Sequence, residues 1–182
     1  EHMVDTVLYF EGDSSRELRL LRGFKNRFGT TSEVGIFEMT KVGLVSAKDV
    51  SKKFFTRGKA QAGSAITVMM EGSRPIVLEV QALVSDSGYP NPKRSATGYE
   101  LNRLTMLLAL LERKLDLPFN QYDVYINIAG GIKINETSAD LAIIAAIISS
   151  YRNRPISKDT IFIGEVSLIG DVRDIFNLDL RL

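Results

Sequence analysis

The sequence has no cysteine, and its one histidine, His2, stands beside the first residue. Without thiols there is no disulfide, no thiolate zinc site and no cysteine nucleophile, and a single histidine gives no basis for an imidazole-centred catalytic group or metal cage. Such a composition fits a cytoplasmic protein. No apolar run approaches the roughly 18–20 residues that cross a bilayer, and no signal-peptide pattern opens the sequence, so no membrane partner is expected. Also missing is G-x-x-x-x-G-K-[ST], the glycine-rich loop whose amides and lysine cradle nucleoside phosphates; no cofactor is therefore expected in this stretch by itself. Neither charge sign dominates: 23 basic and 22 acidic residues leave a net charge of +1, so any affinity for nucleic acid has to come from local clusters. There is no internal repeat and no low-complexity segment.

What is present is a globular composition. With 182 residues and 45% hydrophobic content the chain can bury a sizeable core in one or two domains. Residues 4–10 and 17–28, parted by Glu11-Gly12-Asp13-Ser14-Ser15, read as a β-hairpin. A lone hairpin is barely stable in water, so these strands are expected to end a larger sheet. Residues 33–40 continue extended, 43–45 form a short strand and 47–55 a short helix, with a linker between 29 and 48. Strands at 65–70 and 76–85 make a second hairpin, followed by a loop over 86–98. Leu101, Leu104, Leu107, Leu108 and Leu111 have helical spacing within 99–115, leaving Arg103 and Arg113 off the stripe. A strand at 122–128, a Gly130-Gly131 turn, an apolar helix over 139–151, a strand at 161–164, a turn or hairpin at 166–172 and a helix from 177 complete a mixed α/β (α+β) pattern.

Lys25-Asn26-Arg27-Phe28-Gly29 lies in a basic segment with Arg19 and Arg22. Two cations one residue apart on a strand project to the same side, and Gly29-Thr30-Thr31-Ser32 breaks the strand there. The result is a cationic fork suited to an oxyanion or phosphate, or, in the plainer reading, a solvated basic face. Lys93 and Arg94 in the 86–98 loop, Arg103 on the polar side of the next helix, and Arg57 and Lys59 in the loop over 56–64 are further cations able to neutralise phosphates, or else ordinary solvated charges.

The KNRFG motif at 25–29, with its flanks 4–13 and 33–39 in register, resembles the RadA (Sms) family of bacterial recombination and repair ATPases, from Val4 to the end. The resemblance implies that residues 1–35 end a RecA-like ATPase core and that residues 36–182 form a Lon-protease-like scaffold domain. It implies ATP, magnesium and an N-terminal zinc motif for the whole protein, with single-stranded and branched DNA, a RecA-type recombinase and a hexameric ring of its own copies as partners. Lys25 and Arg27 would then reach the ATP site of a neighbouring subunit as a trans-acting finger, as in the K-x-R finger of DnaB-type helicases.

Residues 122–170 are similar to the proteolytic domain of Lon, where a serine in G-P-S-A-G attacks and a later lysine takes its proton. Ser138, in Thr137-Ser138-Ala139-Asp140, falls on the nucleophile position and Asp179 on the lysine position. An aspartate cannot replace a neutral lysine, and Arg181 is permanently charged. Lys133 reads as a substitute base or as a solvated cation. Ser138 reads as a residue in the first turn of a buried helix capped by Thr137 or Asn135. Three functions remain: the proteolytically inactive, ring-forming, DNA-contacting part of a branch-migration ATPase; a Lon-like serine peptidase using Ser138; or an assembly module with no DNA role.

Overall fold

The computed structural model describes residues 3–12, 18–47 and 58–182. The expected helix over 47–55 therefore lies, but for Ala47, outside the described residues, as does Arg57. The described chain is mixed α and β, as the pattern requires, and it separates into two compact units.

The first unit comprises residues 1–53 with the hairpin tip 70–76. Its centre is a four-stranded sheet in the order β1 (Thr6–Glu11), β2 (Leu18–Asn26), β3 (Val34–Thr40), β4 (Gly43–Ser46), every neighbouring pair antiparallel. The first hairpin gains two further strands: β3 pairs with β2 from Leu18↔Glu38 to Arg22↔Val34, and β4 then pairs with β3. The physical reason is the one that makes a two-strand ribbon unstable. Val34 and Ile36, two apart and so on one face, are buried with Leu18, and a hairpin alone has no such face to offer. One irregularity marks β2. Val7 pairs with Lys25 and Leu8 with Gly23, so Phe24 is an extra residue in a β-bulge.

The second unit holds a sheet in the order β5 (Ser64–Glu71), β6 (Arg74–Asp86), β8 (Tyr122–Ile128), β7 (Arg94–Thr97). β6 and β8 run antiparallel from Val80↔Ile128 to Asp86↔Tyr122. β7 runs parallel to β8, from Arg94↔Val124 to Thr97↔Asn127. Parallel neighbours need a crossover, and α1 (Leu101–Leu115) supplies it between them. β7 falls inside the stretch expected to be loop. Four residues, Arg-Ser-Ala-Thr, bounded by Pro92 and Gly98, carry no apolar alternation, and only the partner strand makes them a strand. The strand expected over 161–164 shrinks to one parallel bridge, Ile66↔Ile161, with the Phe162 amide donating to the Ile66 carbonyl at 2.8 Å.

The sheet buries one face. Val124, Ile126 and Ile128 are buried, whereas Tyr125 and Asn127 between them are not. Leu104, Leu107, Leu108 and Leu111 of α1 and Ala142, Ile143, Ala146 and Ile147 of α2 (Asp140–Arg152) join the same core. No residue from 138 to 151 is fully exposed, which matches the near-continuous apolar run of α2. Gly63 shows how tightly this unit is closed: its φ is +90°, and a Cβ there would come 2.3 Å from the Ala82 carbonyl oxygen. β9 (Glu165–Val166) and β10 (Val172–Arg173) form a small antiparallel hairpin, and α3 (Leu178–Arg181) follows.

Ile147 is fully buried in α2, so Ile147→Ala is expected to lower the unfolding free energy by about 2–5 kcal/mol. A urea titration checks this as a shifted midpoint with an unchanged slope.

Candidate functional site

The motif at 25–29 is a strand end folded into a bonded turn. β2 stops at Asn26, and Arg27 already lies in the turn. Asn26 builds it: its Oδ1 accepts from the Phe28 amide at 3.3 Å, and its Nδ2 donates to the Thr30 carbonyl at 3.2 Å. Such a self-bonded asparagine mimics a backbone turn. Gly29 fits because a Cβ there would come 3.1 Å from Asn26 Nδ2. Both cations rest on the start of the sheet. Lys25 Nζ donates to the Val4 carbonyl at 2.7 Å, and Arg27 pairs with Asp5 at 3.0 Å while its amide donates to the Asp5 carbonyl.

These contacts position the fork without burying it. The Arg27 side chain keeps 70% of its surface in water, and Phe28, whose ring lies 5.9 Å from the Arg27 guanidinium, keeps 79%. A pair this exposed holds its partner weakly, so Asp5 can be exchanged for another anion at little cost. Arg22 of the same basic segment behaves differently, since its guanidinium bonds both Glu11 and Glu71 and serves the sheet.

The serine expected at a nucleophile position has another circumstance. Ser138 is 2% exposed. Its hydroxyl donates to Glu136 Oε1 at 2.6 Å and accepts from Arg181 Nη1 at 3.0 Å. The residue facing Ser138 is therefore Arg181, whereas Asp179 is exposed on α3. The Arg181 guanidinium has no lone pair to accept a proton, and the acceptor of the Ser138 hydroxyl is Glu136. Arg181 also donates to the Val68 and Phe176 carbonyls and pairs with Glu136 through both terminal nitrogens. Lys133 is exposed.

The expected side-chain cap on α2 is also replaced. The Thr137 hydroxyl donates to Glu165 Oε2 at 2.8 Å, and α2 has no side-chain cap. Its second residue's amide, Leu141, reaches the Gly164 carbonyl instead, and the Gly164 amide reaches the Ser138 carbonyl. A neighbouring chain segment thus satisfies part of what a cap would.

At the same helix start Asp140 has no exposed surface, and it gathers four donors. These are the Tyr99 hydroxyl at 2.8 Å, Arg103 Nε at 2.7 Å, Arg103 Nη2, and the Val166 amide at 3.0 Å. Burial, then the charge of Asp140, pushes the Tyr99 hydroxyl well above the ordinary phenol range.

The cations expected to line a DNA channel are consequently not alike. Arg103 is held by Asp140. Arg94 donates to the Tyr122 and Phe119 carbonyls and stands 3.9 Å from Glu112. In both, the guanidinium reaches internal acceptors. Lys93 and Lys59 are exposed. The bonding role of Asn26, Arg181 as the residue on Ser138, and Asp140 as a hub were not foreseen; an aspartate opening an otherwise apolar helix was the available signal for the last.

No family model matches the chain. Over 182 residues it is 70% identical to the "DNA repair protein RadA" of Campylobacter jejuni, with all of this chain and 40% of that protein aligned. The protein of the same name from Helicobacter pylori is 59% identical, with 41% of its length covered, and that from Bacillus subtilis 48% identical, with 40% covered. The chain thus spans about two fifths of the length of these relatives.

Because the fold raises the Tyr99 pKa above its unfolded value, Tyr99 contributes stability that is complete below about pH 10 and is lost as pH rises beyond it. The stability gap between the wild type and Tyr99→Phe should therefore narrow above about pH 10 in urea titrations across pH. Asp140→Ala, which strands Arg103, should cost about 3–5 kcal/mol in the same measurement.

Proposed function

Because this chain belongs to the RadA family along its whole length, we propose that it is the ring-forming, DNA-contacting part of an ATP-dependent branch-migration protein of homologous recombination and DNA repair. The observation that carries this reading is the turn held in shape by Asn26, which leaves Arg27 exposed beside Asp5 and Lys25 half-buried with its ammonium on the Val4 carbonyl. In a hexameric ring the pair would lie at a subunit boundary and place two positive charges on the terminal phosphate bound by the neighbour. The chain has no phosphate-cradling loop and no thiolate, so ATP, magnesium and zinc would be held by other parts of the protein.

The remaining residues make a Lon-like scaffold that has given up cleavage. With Ser138 buried under Arg181 and Glu136, its hydroxyl donates to a carboxylate that the Arg181 guanidinium already holds, and it serves as a structural bond at the helix start. Apolar surface on the second unit, at Leu168, Ile169, Phe176 and Leu180, supports assembly, because neighbouring copies would remove it from water. Lys93 and Lys59 are exposed cations able to meet DNA phosphates. The runner-up is an assembly module with no DNA role, which the same apolar surface favours.

Three measurements separate these readings. In the whole protein, Arg27→Ala should lower ATP turnover by about 10³ while ATP binding is kept; unchanged turnover overturns the finger. Lys93→Ala should lower the salt slope of DNA binding by about 1, and absence of any DNA binding by the wild type would leave the assembly module. A fluorophosphonate probe should leave Ser138 unlabelled, and stoichiometric labelling there would reinstate the peptidase.

A further inference from the structure

The loop over 87–93, between β6 and β7, is pinned at both ends to the start of β8. The Ser87 amide donates to the Gln121 carbonyl at 3.0 Å, the Lys93 amide to Asp123 Oδ1 at 2.6 Å, and the Val124 amide to the Lys93 carbonyl at 2.9 Å. Between the pins, Ser87 Oγ accepts from the Tyr89 amide at 3.3 Å and donates to the Tyr89 carbonyl at 3.0 Å, so one hydroxyl brackets the residue. Pro90 and Pro92 fix their own φ angles and remove two more degrees of freedom.

The residue set out by this framework is aromatic and in water. Tyr89 keeps 69% of its surface exposed, although a ring of that size ordinarily goes into a core. The Lys93 ammonium stands 5.6 Å from the centre of its ring. An exposed ring with a cation over it on a loop already ordered meets two needs of a single-strand binder at once. The ring offers a π-face to any base, and the ammonium offers a charge to the adjoining phosphate. Because the loop is bonded in advance, little ordering entropy opposes binding.

We propose that Tyr89 is a base-stacking residue that takes an unpaired base of single-stranded DNA, with Lys93 serving the phosphate beside it. The inference rests on the DNA-contacting reading above and adds to it a residue that acts on the base and not on charge.

The chain contains no tryptophan, so Tyr89→Trp introduces a single tryptophan, whose emission can be excited apart from the tyrosines, at this position. Titration of that variant with a thymidine oligomer should quench the fluorescence, and a deoxyribose-phosphate chain of the same length without bases should not. Tyr89→Ala should weaken binding of the oligomer by about tenfold with the salt slope unchanged, and Tyr89→Phe should restore the affinity. Equal quenching by the two chains, or an unaltered affinity in Tyr89→Ala, overturns the proposal while leaving DNA binding intact. A wild type that does not bind the oligomer at all overturns both this inference and the reading it rests on.

Discussion

The carboxylate of Asp140 sits at the first turn of α2 with no access to water, and four donors converge on it there. An isolated carboxylate in that position would cost several kcal/mol, and a single missing donor would return part of that cost. The donors come from far apart in the chain: Tyr99 just ahead of α1, Arg103 within it, and the amide of Val166 in β9. One buried charge therefore fixes the start of α2 against α1 and against β9. Its neighbours at the same helix start follow suit, with Thr137 on Glu165 and Ser138 between Glu136 and Arg181.

This constraint accounts for the division among the cations. A guanidinium with five donors is suited to several internal acceptors at once, and Arg103, Arg94 and Arg181 are used in that way. Lysine, a compact and strongly hydrated charge, remains at the surface at positions 59, 93 and 133. Arg27 stays exposed, as Arg74, Arg113, Arg152, Arg154 and Arg173 do, and its turn sets it beside one exposed carboxylate.

The parts legible in the sequence are those where period and burial agree. The leucine stripe of α1, the apolar run of α2 and the alternation of β8 each state an element and its buried face, and KNRFG stated a family and a turn. Illegible were features that depend on a distant partner. β7 has no pattern of its own, β3 and β4 read as extended pieces within a linker because the pairing of β3 with β2 and of β4 with β3 leaves no local mark, and Arg103 looks like any polar-face residue until Asp140, thirty-seven positions on, is brought beside it. The place of Arg181 over Ser138 was hidden for the same reason: positional matching assigned the site to Asp179, whereas a short helix turns a residue two further on toward the hydroxyl.

The bulge at Phe24 carries a consequence for how β2 tolerates change in length. Directly opposed residues of an antiparallel pair share a face, so Lys25, opposite Val7, lies on the side of Arg22, opposite Tyr9, although the two are three positions apart. The extra residue inverts parity just before the motif. Loss of one residue there would restore unbroken alternation along β2, yet would send the lysine to the opposite side of the sheet. The spacing between this strand's body and its tip is thus under stricter constraint than the identity of the residue that supplies it.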